Sequence, residues 1–378
     1  MKPKIWLSSP HMGGTEQNYV QEAFDTNWIA PLGPNVTGFE NDLENYLNND
    51  KHVACLSSGT AAIHLALLQL GVKRDDEVIC QTFTFCGSAN PITYLGAKPI
   101  FVDSEEQTWN MCPNYLEEAI KDRIAKGKTP KAIIIVHLYG MPSQIDQLLE
   151  VANKYKISII EDAAEALGST YKGKKCGTFG AYSILSFNGN KIITTSGGGA
   201  LVCNTEQEKK QTIFFATQAR DNAPHYEHTK IGYNYRMSNI SAGIGRGQME
   251  VLDKHINLRR ANNQFYNDLF KDVKGIEVQQ QPTQDYYSNF WLSCILIHDD
   301  APFTKAQFQA AMDAENIETR PLWKPMHLQP VFKGLPYYGS NVSETLFNKG
   351  VCLPSGSNLT KNELDRIKNV VNSLLAKG

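Results

Sequence analysis

Up to about residue 205, short apolar runs alternate with stretches of helical spacing, and this alternation restricts the fold more than any other feature of the chain. Val78-Ile79-Cys80, Pro99-Ile100-Phe101-Val102, Ala132-Ile133-Ile134-Ile135-Val136 and Ile157-Ser158-Ile159-Ile160 are of strand length and rich in β-branched residues. Between them, segments such as 115–120 and 145–152 place apolar residues at helical spacing. Strands that are apolar throughout need cover on both faces, which predicts an α/β domain with a mostly parallel central sheet. Beyond about residue 250 the texture changes. An amphipathic stretch over 249–270, a strand-like run over 290–297, and helical segments over 304–315 and 360–376 predict a smaller α+β C-terminal domain. The expected division is 1–250 and 251–378, in keeping with a chain of 378 residues.

Charge narrows the partners. Lys and Arg total 37 against 39 Asp and Glu, a net charge of -2, so there is no basic field to hold nucleic acid by its phosphates. No apolar run reaches the length of a membrane span, and the N-terminal segment lacks the apolar stretch of a signal peptide. The 8 cysteines stand singly, without a Cys-x-x-Cys pair, as expected of buried thiols in a reducing compartment. A cytoplasmic protein without membrane, nucleic-acid or metal partners is the expectation.

Four segments carry chemistry. In Val53-Ala54-Cys55-Leu56-Ser57-Ser58-Gly59-Thr60-Ala61-Ala62 an apolar run stops at small residues and a helix begins. Free N–H groups and the helix dipole at Gly59 and Thr60 suit a phosphate, although an ordinary helix cap would read the same way. In Ile159-Ile160-Glu161-Asp162-Ala163-Ala164-Glu165, a buried strand delivers Asp162 at its C-terminal end, where ligands of open α/β sheets gather. The carboxylate suits a protonated ring nitrogen; it also suits a helix cap. In Ser186-Phe187-Asn188-Gly189-Asn190-Lys191-Ile192-Ile193, followed by Gly197-Gly198-Gly199, one lysine lies between Ser186-Phe187 and Ile192-Ile193. Partial desolvation there would favour the neutral, nucleophilic amine, whereas a lone lysine is ordinarily a solvated surface charge. The fourth segment, Gly232-Tyr233-Asn234-Tyr235-Arg236, is polar and aromatic and reads equally as a loop or a binding element.

Together these segments resemble those of the DegT-type nucleotide-sugar aminotransferases, enzymes of fold type I that use pyridoxal 5′-phosphate (PLP). Further matches are Pro10-His11-Met12-Gly13-Gly14, Asn27-Trp28-Ile29-Ala30-Pro31-Leu32-Gly33-Pro34, Glu318-Thr319-Arg320-Pro321-Leu322-Trp323-Lys324-Pro325-Met326-His327 and Cys352-Leu353-Pro354-Ser355-Gly356-Ser357, so the resemblance spans nearly the whole chain. Glu165 and the run from Asn188 to Gly199 most resemble the subgroup that aminates C4 of UDP-2-acetamido-4-keto-2,6-dideoxyhexoses.

The resemblance implies roles. Lys191 would bind PLP as a Schiff base and then serve as general base and acid, and Asp162 would keep the pyridine nitrogen protonated. Phe85 would stack on the ring, with Glu165 also at the cofactor. Gly59, Thr60 and Ser186 would contact the phosphate, joined by Asn234 from a second subunit, so the active sites of a homodimer would be shared. Asn27, Trp28, Ile29, Ala30 and Ser58 would line the sugar-nucleotide site, with Arg320 and His327 at the diphosphate. Glutamate would donate the amine. Three rivals stand beside this reading. One is amination of another nucleotide keto-sugar, by C3 amination or of the GDP-perosamine type. Another is the sugar dehydratase branch, which carries histidine where this chain has Lys191. The last is a non-catalytic PLP-binding regulator.

Overall fold

In the computed structural model, which describes residues 2–48 and 50–376, an eight-stranded sheet forms the centre of the molecule. Its order is His52–Leu56, Gly199–Cys203, Tyr182–Ser186, Ser158–Asp162, Ala132–Val136, Glu77–Gln81, Lys98–Val102 and Tyr337–Tyr338. The last six of these run parallel; Gly199–Cys203 is antiparallel to both of its neighbours. Every residue of Ala132–Val136 and Glu77–Gln81 is buried, because helices cover both faces. Helix Gly59–Gln69, apolar almost all round, packs in one core layer with Leu56, Cys80 and Ile134. The amphipathic helix Ile145–Tyr155 turns Leu148 and Ala152 into the opposite layer, against Ile133, Ile135 and Ile159.

A second sheet is antiparallel, in the order Ile276–Val278, Ser293–Ile297, Gly350–Leu353 and Arg320–Pro321. Helices Leu252–Phe270, Lys305–Ala314 and Lys361–Leu375 close its core through Tyr266, Phe308, Met312, Ile367 and Val371. Capping boxes at Thr304 with Gln307 and at Thr360 with Glu363 fix the starts of the last two helices.

The two layers exchange chain. Ile5 lies in the core of the second sheet and bridges Ile317, while Tyr337–Tyr338 adds a parallel edge strand to the large sheet beside Phe101 and Val102. The amphipathic run expected over 249–270 is the single helix Leu252–Phe270; Met249 ends the preceding helix, Asn239–Met249. The strand expected over 290–297 begins only at Ser293; Phe290 takes a left-handed φ of 45° and turns the chain before the strand starts.

Candidate active site

Four parallel strands of the large sheet end on one cavity of about 590 Å³, at their carboxyl ends. Thr84 and Phe85 follow Glu77–Gln81, Val136 ends its strand, Asp162 ends the next, and Ile184 and Ser186 close the fourth. Ser58, Gly59 and Thr60 enter from the start of helix Gly59–Gln69, and Lys191 from the loop after Ser186.

At the helix start, the Ser58 hydroxyl accepts a hydrogen bond from the Ala61 N–H at 3.0 Å and so caps the helix. The first N–H groups of a helix have no intrahelical acceptor, which leaves those of Gly59 and Thr60 for an anion. Close approach of backbone builds this cradle. A Cβ on Gly199 would fall 2.3 Å from the Gly59 nitrogen, and one on Gly59 would meet the Ser186 Cβ at 3.3 Å. Of the three consecutive glycines, none adopts positive φ; Gly198 and Gly199 are needed for space. Gly199→Ala is therefore expected to cost more than about 2 kcal/mol of stability, read as a lowered urea midpoint, and to weaken PLP retention in equilibrium dialysis.

Asp162 is buried, with one carboxylate oxygen accepting from the Ser88 hydroxyl at 2.6 Å and the other from the Ala164 N–H at 3.1 Å. Since Ser88 spends its proton on Asp162, the Thr84 hydroxyl donates to Ser88, at 2.7 Å. Its neighbour Glu161 points into the opposite layer, where His137, Ser183 and the N–H groups of Gly177 and Phe179 donate to it. These bonds anchor the strand end from which Asp162 projects.

The Lys191 side chain is only 11% exposed. It lies 4.1 Å from the ring centroid of Trp291 and 3.2 Å from one oxygen of Glu165. The other Glu165 oxygen accepts from the Tyr139 N–H at 2.7 Å. Burial pushes the Glu165 carboxyl above its ordinary value, against the opposing pull of Lys191 and the Tyr139 N–H. Tyr139 presents that N–H from a left-handed conformation, φ 55°, and its hydroxyl accepts from the Trp323 N–H at 2.9 Å. Phe85 is 56% exposed at the cavity, its ring centroid 5.5 Å from that of Trp323. At the rim, Arg320 donates to one oxygen of Glu318, whose other oxygen accepts from the Leu7 N–H.

Ser58, Gly59, Thr60, Phe85, Asp162, Glu165, Ser186, Lys191 and Arg320 thus share one cavity. The remaining expected residues lie apart from it in this chain. Asn234 is exposed and bridges Thr217. Asn27, Trp28 and Ile29 are exposed, and the segment through Ala30 is tied down by Asn239, which bonds the carbonyls of Trp28 and Ala30. His327 stacks on Tyr337 at 3.9 Å, and its Nδ1 is hydrogen-bonded with the Thr82 hydroxyl at 2.7 Å. It braces the edge of the large sheet, and burial lowers its basicity.

Trp291, Tyr139, Ser88 and Trp323 are site residues that sequence reasoning missed. Trp323 lay within a quoted motif and Trp291 within the run read as a strand; Tyr139 and Ser88 carry no local signal.

The residues fit PLP. A helix-start cradle with space held open by glycine suits its phosphate, a buried carboxylate its ring nitrogen, and a desolvated amine its aldehyde. Comparison with known proteins agrees. The DegT/DnrJ/EryC1/StrS aminotransferase family matches residues 10–372. The chain belongs to this family. It is 48% identical over 376 residues to EpsN of Bacillus subtilis (strain 168), assigned by name as a PLP-dependent aminotransferase, covering 98% of this chain and 96% of EpsN. It is 37% identical over 368 residues to the GDP-perosamine synthase of Escherichia coli O157:H7, covering 97% and 98%. Among solved structures, the PLP form of Spr1654 from Streptococcus pneumoniae, assigned as a sugar aminotransferase, superposes with a TM-score of 0.90 at 25% identity and 99% coverage of both chains. This DegT-family protein is a PLP-dependent sugar aminotransferase of fold type I. Among the described residues, no helix is long and apolar enough to cross a membrane.

Proposed function

We propose that this aminotransferase moves an amino group from glutamate to C4 of a nucleotide-linked 4-keto-6-deoxy sugar, a UDP-2-acetamido-2,6-dideoxy-4-ketohexose. The observation that carries the aminotransfer is the meeting of Lys191, Asp162 and the Gly59–Thr60 helix start in one cavity, with Arg320 at its rim. The sugar itself is read from the resemblance of Glu165 and the segment from Asn188 to Gly199.

PLP, when bound, supplies the electron sink for the carbon that gains or loses the amine. Asp162 holds the proton on the ring nitrogen. Gly59, Thr60 and Ser186 grip the phosphate, and Phe85 covers the ring. The Lys191 amine takes the proton from the donor's α-carbon in the first half-reaction and returns one to sugar C4 in the second. Trp291 and Glu165 keep that amine out of bulk water and aimed into the cavity. Arg320 meets the diphosphate of the sugar nucleotide, leaving Glu318 to do so.

The test is product mass after incubation with a panel of UDP-, GDP- and dTDP-linked 4-keto-sugars and glutamate. Amination of the UDP-2-acetamido sugar above the others is expected. Selective amination of a GDP-linked sugar would establish the second reading, which the 37% identity to a GDP-perosamine synthase favours.

The active unit in this reading is a homodimer that shares its sites. Asn234 is exposed and removed from its own cavity, as are the apolar Trp28, Ile29 and Ile231, which suits a face covered by a second copy. Asn234 would then reach the phosphate bound by the partner. Mixing Lys191→Ala with Asn234→Ala chains tests this. In a mixed dimer one site carries both defects and the other none, so activity should reappear at up to about half the wild-type level per mixed dimer. No recovery after verified subunit exchange would rule out sharing through Asn234.

A further inference from the structure

Arg259 projects from helix Leu252–Phe270 into the seam between the two sheets and is 1% exposed. A buried arginine is ordinarily matched by a carboxylate. Among the described residues Arg259 has no acidic partner, and its Nε has no acceptor. Its acceptors are neutral oxygens: the carbonyls of Trp291 at 2.7 Å, Ser355 at 3.2 Å and Lys191 at 3.3 Å, and the Ser8 hydroxyl at 3.0 Å.

These contacts converge on the lysine loop. Ser8 accepts from Arg259 and passes its own proton to the Asn190 carbonyl at 2.7 Å. The Trp291 indole N–H reaches the same carbonyl at 2.6 Å, while its ring lies against the Lys191 amine. One guanidinium therefore holds the Lys191 main chain directly, and the Asn190 main chain through Ser8 and Trp291. It also fixes the aromatic wall beside the amine.

We infer that Arg259 is a positioning residue for transamination: it holds Lys191 by its carbonyl from behind the cavity and, through Ser8 and Trp291, fixes the loop and the aromatic wall that aim the amine. A guanidinium fork that bonds several carbonyls at once sets the direction of the loop as a single donor cannot.

This inference rests on Lys191 being the lysine that carries PLP. The experiment measures single-turnover absorbance with glutamate, and PLP dissociation, in PLP-loaded wild type, Arg259→Lys and Arg259→Gln. Loss of the fork should slow the half-reaction at saturating glutamate roughly 10-fold in Arg259→Gln and less in Arg259→Lys, with the glutamate concentration at half-maximal rate unchanged. PLP should also dissociate roughly 10-fold more readily from Arg259→Gln. A wild-type rate at saturating glutamate in Arg259→Gln would overturn the inference. Should Arg259→Gln fail to fold, Arg259→Lys decides alone: a wild-type rate together with wild-type PLP retention overturns it. Failure of the lysine assignment is separable, since wild-type absorbance would then persist in Lys191→Ala.

Discussion

Lys191→Ala should reduce transamination more than about 10⁴-fold, because in the proposed mechanism it removes both the covalent anchor of PLP and the proton-transfer group. A well-placed general base alone accounts for roughly 10² to 10⁴ in rate. The decisive measurement is borohydride reduction of the PLP-loaded protein followed by mass analysis. Wild type should gain one stable cofactor adduct on Lys191, and the variant none. The fold should survive. The lost amine is 3.2 Å from Glu165, whose carboxyl burial already pushes upward, so the freed acid can take a proton rather than remain a buried unpaired charge. A wild type that forms no reducible adduct when supplied with PLP, or one that carries the adduct on another lysine, would remove Lys191 from the centre of the mechanism.

Asp162→Ala should retain PLP yet slow the half-reaction with glutamate by roughly 10² to 10⁴, as expected for loss of a buried charged contact to the ring nitrogen. Single-turnover absorbance with glutamate alone reads this step without any sugar substrate. The substitution also strands the Ser88 hydroxyl and the Ala164 N–H, at a folding cost of about 1–3 kcal/mol. Ser88→Ala provides the control: it removes a donor to Asp162 but keeps the carboxylate, so its half-reaction should stay much closer to wild type. Near-normal turnover of Asp162→Ala would show that another group protonates the ring nitrogen.

The chemistry legible in the chain is chemistry written into local pattern. A buried β-branched run ending at Glu161-Asp162 had to be a strand, and a ligand-facing carboxylate at its carboxyl end followed from the rules of parallel sheets. The change from Leu56 to Ser58-Gly59-Thr60 marked a strand-to-helix turn, and Ser58 is the observed cap. Lys191 stood out because it lies between Ser186-Phe187 and Ile192-Ile193, ahead of three glycines. His327 was the opposite case. The resemblance implied a place for it at the diphosphate, whereas in this chain the edge strand Tyr337–Tyr338 brings Tyr337 over its ring. That strand is two residues long and carries no period, so its pairing with Phe101 and Val102 had no local signature.

By itself the sequence determined the order of the strands along the chain, their burial on both faces, and the chemical types at their carboxyl ends. Each of these depends on periodicity and capping within about ten residues. Only the tertiary structure decided what surrounds the amine of Lys191. Trp291 lies 100 positions further along the chain, Tyr139 turns its N–H to Glu165 from a left-handed backbone, and Arg259 reaches the lysine carbonyl from a helix of the other layer. Contacts between residues so far apart are fixed by how the two sheets pack, and side-chain packing of that kind has no period for a sequence to display.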